Sequence, residues 1–203
     1  MNDSNDVHSS IVSIVASVVA FDDKEARDRA DILDWLRSTT DVYRRVKPSI
    51  PDRHMAVYCV PVDLAEHRIF LGFHLGAQHW LPPGGHVDIG EFPRCAALRE
   101  CEEELGMVPN LYRDSPILAS LERTVGMNVH TDVVLWFAFD CSAQMRLSLT
   151  EEEFGDQRWF SFSEISNLHT NPNLGRFLTK LKRLHTAATP AVSEVGLVDQ
   201  RGA

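Results

Sequence analysis

The strongest constraint on the fold of this chain is a glutamate-rich segment, residues 85–107, which reads GHVDIGEFPRCAALRECEEELGM. Pro93 suits the first turn of a helix and Gly106 suits the position just past the last turn, so a helix is predicted between them, over Pro93–Leu105. At about 100° per residue, three carboxylates fall within one sector of that helix: Glu100, Glu103 and Glu104. Carboxylates so close repel one another unless a cation neutralises them.

The donor set indicates which cation this sector would bind. Carboxylate oxygens are hard donors, which suit magnesium or manganese better than zinc. Glycines at positions 84, 85 and 90 would let the backbone turn sharply and approach a metal or phosphate closely. The competing interpretation is a solvated acidic helix face, which is common. Arg99, Glu91 and Gly85, which lie at fixed distances from the glutamates, argue against a solvated face, because such a face needs none of them.

The same segment resembles the Nudix box, G-x5-E-x7-R-E-U-x-E-E-x-G-U with U a bulky apolar residue, at every fixed position. The one soft departure is Cys101, where that family usually has an aliphatic or aromatic residue. A buried cysteine behaves as a small hydrophobe, so this change affects packing more than chemistry.

The resemblance implies a role for each matching residue. Glu100, Glu103 and Glu104 would ligate Mg²⁺, with Mn²⁺ as the alternative ion, and the backbone carbonyl of Gly85 would join them. Arg99 would orient the glutamates by ion pairing, and Glu91 would support that network.

A further glutamate from a later loop is also implied, as metal ligand or general base. Glu153 is favoured, with Glu152 in reserve, because Trp159 follows Glu153 by six residues. A solvated acidic loop is the equal alternative.

Four further residues are predicted to contact substrate, each with a plainer alternative. An HTD sequence precedes the apolar run VVLWF and could place a polar pair near the substrate, or merely form a strand-start hydrogen bond. A histidine follows the glycine pair and could approach a phosphate. A tryptophan in the apolar run, like Trp80, could stack on a base, although core packing is the more frequent fate of tryptophan. These residues are His86, His130, Asp132 and Trp136.

The rest of the chain predicts an α/β fold: a Nudix-type α/β/α sandwich with a mixed sheet, plus an N-terminal helical extension. The predicted division is an extension at 1–51, a Nudix domain at 52–186 and a mobile tail at 187–203. Apolar residues at helical spacing predict one buried face in the first helix: Ile11, Ile14, Val15, Val18 and Val19. A second helix is predicted over Asp23–Ser38, capped by Asp22 or Asp23. Its predicted apolar side is Ala26, Ala30, Leu33 and either Trp35 or Leu36.

Strand propensity and turn residues predict the remaining elements. The predicted strands are Met55–Val62, Arg68–His74, Ile117–Thr124, His130–Asp140 and Trp159–Phe162, and a last helix is predicted over Leu174–His185.

Composition limits the partners and the compartment. Acidic residues outnumber basic ones, 29 to 20, and the net charge of −9 argues against a nucleic-acid binder. The four cysteines have no zinc spacing and are expected to be free thiols. The apolar stretch Ile11–Phe21 is too short to span a bilayer and has no basic residues before it. We therefore expect a cytoplasmic protein without a membrane partner.

These features together predict Mg²⁺-dependent hydrolysis of a pyrophosphate linkage in a nucleoside diphosphate joined to another group X. The identity of X has no signature in the sequence. The first alternative is a catalytically inactive Nudix-fold nucleotide sensor. The second is an isomerase of the same fold, which would need a catalytic cysteine and a different His/Glu metal set. The N-terminal extension is expected to pack on the chain's own core, with homodimer formation as the alternative.

Overall fold

A computed structural model of the protein describes residues 3–47, 50–124 and 129–188. The four helices described are α1 (Asp3–Ser17), α2 (Asp23–Ser38), α3 (Pro93–Leu105) and α4 (Leu174–Ala188). The seven strands are β1 (Arg53–Asp63), β2 (Arg68–His74), β3 (His79–Leu81), β4 (Gly84–His86), β5 (Leu118–Arg123), β6 (Thr131–Asp140) and β7 (Phe154–Ser161). A short 3-10 turn spans Glu164–Asn167. In the described part of the chain, no helix is both long and apolar enough to cross a membrane.

The seven strands form one mixed sheet in the order β3-β2-β1-β6-β5, with β4 also paired to β1 and β7 to β2. β1 and β6 run parallel from Arg53↔Thr131 to Val62↔Asp140, and the other pairs are antiparallel. β1 is the strand on which the site depends, because it pairs with β6 along its length and with β4 near its start.

Both faces of the sheet are covered by helices, so the predicted α/β/α sandwich is confirmed. One core lies under α1, α2 and α3, where Ile11, Ile32 and Cys101 pack with strand residues such as Phe137. The second core lies under α4, whose Phe177 packs with Trp136 and their neighbours. Strand β6 contributes side chains to both cores, because successive side chains of a strand point to opposite faces of the sheet.

The N-terminal extension packs on the chain's own core. In α1, Ile11 and Val15 are fully buried, as predicted from their spacing. Val19 is 78% exposed, so its predicted place on the buried face is wrong. Helix α1 ends at Ser17, and the helical repeat no longer determines where the side chains of later residues point.

Helix α2 has the predicted bounds and the predicted cap, since Asp22 accepts a hydrogen bond from the Glu25 N–H at 2.9 Å. Its predicted apolar side was wrong at two positions, Ala26 and Ala30, which are exposed. Its buried residues are Glu25, Ile32 and Leu36, of which Leu36 was one of the predicted alternatives. The buried carboxylate of Glu25 pairs with Lys180 of α4, and Glu25 is buried together with Ile32 and Leu36 of the same helix.

The segment between β2 and α3 contains two short strands that sequence patterns did not predict, β3 and β4. Both are three residues long: β3 pairs with the preceding strand β2, and β4 pairs with β1, which lies about thirty residues earlier. β7 begins at Phe154, five residues before the predicted strand, because it pairs with β2 along its full length. The predicted tail lies outside the described residues from position 189 onward.

Candidate active site

The guanidinium of Arg99 links Glu91 to two glutamates of helix α3 and to strand β4. It donates to Glu91 through Nε and Nη2 at 3.0 and 2.8 Å, to Glu100 at 2.8 Å and to Glu103 at 3.1 Å. Its Nη2 also donates to the backbone carbonyl of His86 at 3.1 Å. These planar, charge-assisted contacts fix the glutamates relative to β4, and a lysine could not reproduce them.

Glu91 is the residue that anchors Arg99. Its carboxylate accepts both hydrogen bonds of a bidentate pair and also accepts the Asp88 N–H at 3.0 Å. Burial acts to raise the pKa of Glu91, but the hydrogen bonds from Arg99 and Asp88 outweigh burial and lower it. Glu91 therefore stays ionised and holds the loop before α3 against the helix.

Gly85 of β4 lies directly against Glu100. A Cβ atom at position 85 would collide with the Glu100 carboxylate, so only glycine allows the carboxylate to approach this backbone so closely. Gly85 also pairs with Val57 of β1, which fixes its position in the sheet. The Gly85 peptide and the box glutamates thus meet at one place, and we call Gly85, Glu100, Glu103 and Glu104 the carboxylate centre.

The electrostatics of the carboxylate centre favour a cation. Burial, followed by the charges of Glu153, Glu100 and Glu103, raises the pKa of Glu104 to about 7. Burial likewise raises the pKa of Glu100. One oxygen of Glu104, Oε2, is buried without a hydrogen-bond partner. An unpartnered buried oxygen among mutually repelling carboxylates fits a divalent cation that accepts hard oxygen donors.

Two neighbouring residues show which side of α3 faces the site. Glu102 is exposed and makes no part of the cluster, as its helical phase predicts. Cys101 is fully buried in the first core, at the apolar position of the box. The helix therefore presents carboxylates on one side and packs against the sheet on another.

Three of the four predicted substrate-contact residues lie together and point at one another: His86, His130 and Asp132. The Nε2 atoms of His86 and His130 lie 3.5 and 3.4 Å from Oδ1 of Asp132. A residue that sequence reasoning missed, His54 of β1, completes the group, with its Nε2 atom 3.1 Å from the same oxygen. We call His54, His86, His130 and Asp132 the histidine cluster.

The charge state of the cluster follows from its burial and its contacts. Burial acts to raise the pKa of Asp132, but the surrounding histidines outweigh it and lower the pKa below its usual range. Burial lowers the pKa of His86, which favours the neutral imidazole. Asp132 is therefore an anion surrounded by imidazoles.

Trp136 is a core residue, so its predicted stacking on a base is wrong. Its exposure is 0%, and its ring packs against Tyr58 and Phe177. Its Nε1 donates to Ser120 Oγ at 2.8 Å, which satisfies the indole inside the core. Core packing, the alternative given for tryptophan, is what the structure shows.

A second polar network was also missed. Glu122 of β5 accepts hydrogen bonds from Ser120 at 2.6 Å and from Asn173 at 2.8 Å, and burial raises its pKa. Asn173 precedes α4, far along the chain from β5, so no local pattern could have joined the two residues.

The chain is similar to known proteins of one family. The NUDIX domain family matches residues 52–181 of the chain. The chain is 33% identical over 98 residues to the bis(5'-nucleosyl)-tetraphosphatase [asymmetrical] of Mus musculus, an alignment that covers 46% of this chain and 63% of that protein. It is 29% identical over 101 residues to the uncharacterized Nudix hydrolase YvcI of Bacillus subtilis, covering 49% of this chain and 61% of that one. The chain thus spans less than two thirds of the length of these curated relatives.

Solved structures show the same fold. A hydrolase of the NUDIX family from Clostridium perfringens superposes with a TM-score of 0.51 at 26% identity, covering 65% of this chain and 98% of that one. The Ap4A hydrolase of C. elegans in a binary complex superposes with a TM-score of 0.52 at 20% identity, covering 66% and 98%. At that identity the second likeness concerns the fold alone.

Proposed function

The chain belongs to the Nudix family, and from that premise we propose that it hydrolyses a pyrophosphate linkage in a nucleoside diphosphate joined to another group X, with Mg²⁺ bound at the carboxylate centre. One observation carries the proposal. Arg99 orders two box glutamates while a third, Glu104, keeps a buried oxygen without a hydrogen-bond partner. A folded protein retains such a costly arrangement when a ligand satisfies it.

The chain's own residues would divide the work. Glu100, Glu103, Glu104 and the Gly85 carbonyl would hold Mg²⁺, or Mn²⁺ as the alternative. When bound, the ion would lower the pKa of water and neutralise the charge that develops on the phosphates. Arg99 would keep the carboxylates in position without leaving them free to rotate.

Glu153 is the residue we propose as general base, with Glu152 in reserve. Its backbone is held by a hydrogen bond from the Leu75 N–H to the Glu153 carbonyl at 2.8 Å, and its charge contributes to the raised pKa of Glu104. Its carboxylate would accept a proton from the attacking water as the new P–O bond forms and the bridging P–O bond breaks. The products would be a phosphomonoester and a second phosphate-bearing fragment.

The substrate class that we propose to test first is the dinucleoside polyphosphates. The support is the sequence similarity to bis(5'-nucleosyl)-tetraphosphatases, 33% identity over 98 residues for that of Mus musculus. The two rival functions have no comparable support. A sensor would be expected to have lost box glutamates, and all are present. An isomerase would need a reactive cysteine, whereas Cys59 is buried with a raised thiol pKa and donates to the Ala97 carbonyl.

The experiment is a phosphate-release screen with magnesium over dinucleoside polyphosphates, nucleotide sugars and nucleoside triphosphates, with any monophosphate product detected after phosphatase treatment. We expect turnover of at least one dinucleoside polyphosphate, abolished by a magnesium chelator. Binding of a nucleotide without any turnover across the panel would contradict the proposal and favour the sensor. Cytoplasmic location and homodimer formation stay predictions.

A further inference from the structure

The histidine cluster is assembled from separate strands on the side of β4 away from Glu100. His54 lies in β1, His86 in β4 and Asp132 in β6, while His130 immediately precedes β6. Their candidate ligand atoms all lie within 4.8 Å of one another. None of these four residues belongs to the carboxylate centre, whose donors are oxygen atoms alone.

Three distances in the histidine cluster, those from the histidines to Asp132, are close to an edge of a tetrahedron around a metal ion. Zinc binds imidazole nitrogen and carboxylate oxygen at about 2.0–2.2 Å, so the ligand atoms of a tetrahedral site lie about 3.3–3.6 Å apart. The three histidine Nε2 atoms lie 3.1, 3.5 and 3.4 Å from Asp132 Oδ1. One carboxylate oxygen therefore has three imidazole nitrogens within 3.5 Å, close to the spacing of ligand atoms around a shared ion.

Hydrogen bonding leaves one inner atom of each of His54, His86 and Asp132 without a partner. Nδ1 of His54 lies 2.7 Å from the Pro51 carbonyl, and a carbonyl only accepts, so this nitrogen carries the proton. In the neutral ring Nε2 is then a lone pair facing the Asp132 carboxylate. His54 Nε2, His86 Nε2 and Asp132 Oδ1 are all buried without a hydrogen-bond partner. A protonated His54 Nε2 would donate to Asp132 alone, whereas one metal ion would contact the inner atoms of His54, His86 and Asp132 at once.

We propose that His54, His86, His130 and Asp132 form a zinc site separate from the carboxylate centre. A site with three imidazoles and one carboxylate binds zinc in preference to magnesium. The Pro51 carbonyl serves as the outer partner that orients the His54 ring, and Thr124 Oγ1 lies 3.1 Å from His130 Nδ1 in the equivalent position. With four protein ligands the site is closed, which is typical of structural zinc.

The site would fix the strand that carries Gly85. His86 is the residue after Gly85, and its backbone carbonyl accepts a hydrogen bond from Arg99. A metal bound by His86 would therefore hold β4 against β1 and β6 at the point where the carboxylate centre begins. Its role is to position the other centre, and it need not contact substrate.

The test is metal content of the purified full-length protein, measured without substrate. The protein is stripped with a chelator, dialysed against micromolar zinc with excess magnesium, and assayed by mass spectrometry. We expect one zinc per chain in the wild type and in Glu104→Gln, the matched control in the carboxylate centre. Asp132→Asn and His130→Gln should bind zinc at least about 100-fold more weakly, since even outer partners of metal ligands are worth 10–100-fold.

Cobalt substitution gives a second measurement that does not depend on the variants. The wild-type cobalt protein should show the intense visible absorption of four-coordinate cobalt. Circular dichroism checks that each variant is folded. A wild-type protein that binds no zinc, or zinc lost in Glu104→Gln and kept in folded Asp132→Asn, would overturn the proposal. Both measurements are made without substrate, so the proposed hydrolysis is tested separately by the phosphate-release screen.

Discussion

The carboxylate centre and the histidine cluster lie on either side of one short strand. Successive residues of a strand point to opposite faces, so Gly85 faces Glu100 while the side chain of His86 faces Asp132. The first centre comes mainly from one helix and is open: the Glu103 side chain is 59% exposed. The second comes from three strands and is closed, and the His54 side chain has no exposure.

The difference teaches what each centre can do. Hard oxygen donors at an open surface suit a magnesium ion that must also bind phosphate and water. Imidazoles in a closed shell suit a borderline ion that has no free position. Gly85 belongs to the carboxylate centre and the adjacent His86 belongs to the histidine cluster. A change in one centre is therefore expected to have a smaller effect on the other.

The largest effect should come from the carboxylate centre. Glu103→Gln or Glu104→Gln should lose on the order of 3 kcal/mol of transition-state stabilisation, or at least about 100-fold in kcat. Folding should survive, because either change removes one of several repelling carboxylates. The measurement is steady-state turnover on the substrate that the phosphate-release screen identifies. Glu102→Gln, on the exposed side of the same helix, is the matched control and should keep wild-type turnover. Unchanged kcat in Glu104→Gln would remove that residue from the mechanism.

The next effect separates the two centres by their metals. Zinc at about 100 times its dissociation constant should stabilise the wild type by about 2.7 kcal/mol, a rise of about 5–10 °C in Tm. Glu104→Gln should show the same rise and Asp132→Asn should not. Thermal unfolding followed by circular dichroism measures both. Equal stabilisation of Asp132→Asn would erase the distinction between the centres.

The carboxylate centre could be predicted from sequence because its information is local. Helix α3 has the predicted bounds, since Pro93 and Gly106 mark its ends, and the box spacing places its glutamates together. The same is true of α2, which Asp22 caps. Arg99 contacts the partners that the resemblance assigned to it.

The histidine cluster could not be predicted in full because its information is not local. His54 is one histidine in an apolar strand, and its partners lie more than thirty residues away. Only the parallel register of β1 with β6, which sets His54 opposite Asp132, brings it into the group. The alternation His130–Asp132 was the one available signal, since residues two apart share a strand face. The buried Glu25–Lys180 pair escaped prediction for the same reason.

A smaller effect should measure the coupling between the centres. With excess magnesium, Asp132→Asn should lower kcat by about 10-fold and leave KM unchanged, because losing the cluster shifts His86 and with it Arg99. Asp140→Asn, exposed at the other end of β6, is the matched control. A raised KM with unchanged kcat would instead place Asp132 in contact with substrate, as the sequence first suggested.

The smallest effect concerns the side of α3 that faces neither centre. Cys101 is buried there, and burial raises the pKa of its thiol to about 12. Burial also raises the pKa of Cys141 to about 12, and that of Cys59, while Cys95 is exposed. Because the thiolate is the reactive form, an alkylating reagent at pH 8 should label Cys95 rapidly and the other three slowly.

Cys101→Val is the matching substitution, because the two side chains have similar volumes. It should change the free energy of unfolding by less than about 1.5 kcal/mol and leave turnover unchanged. Peptide mass spectrometry of the labelled protein, with denaturant-unfolded protein as the control for full reactivity, identifies which thiol reacts. Rapid labelling of Cys101 with loss of turnover would mean that α3 does not pack as described, and that the carboxylate centre has a reactive thiol beside it.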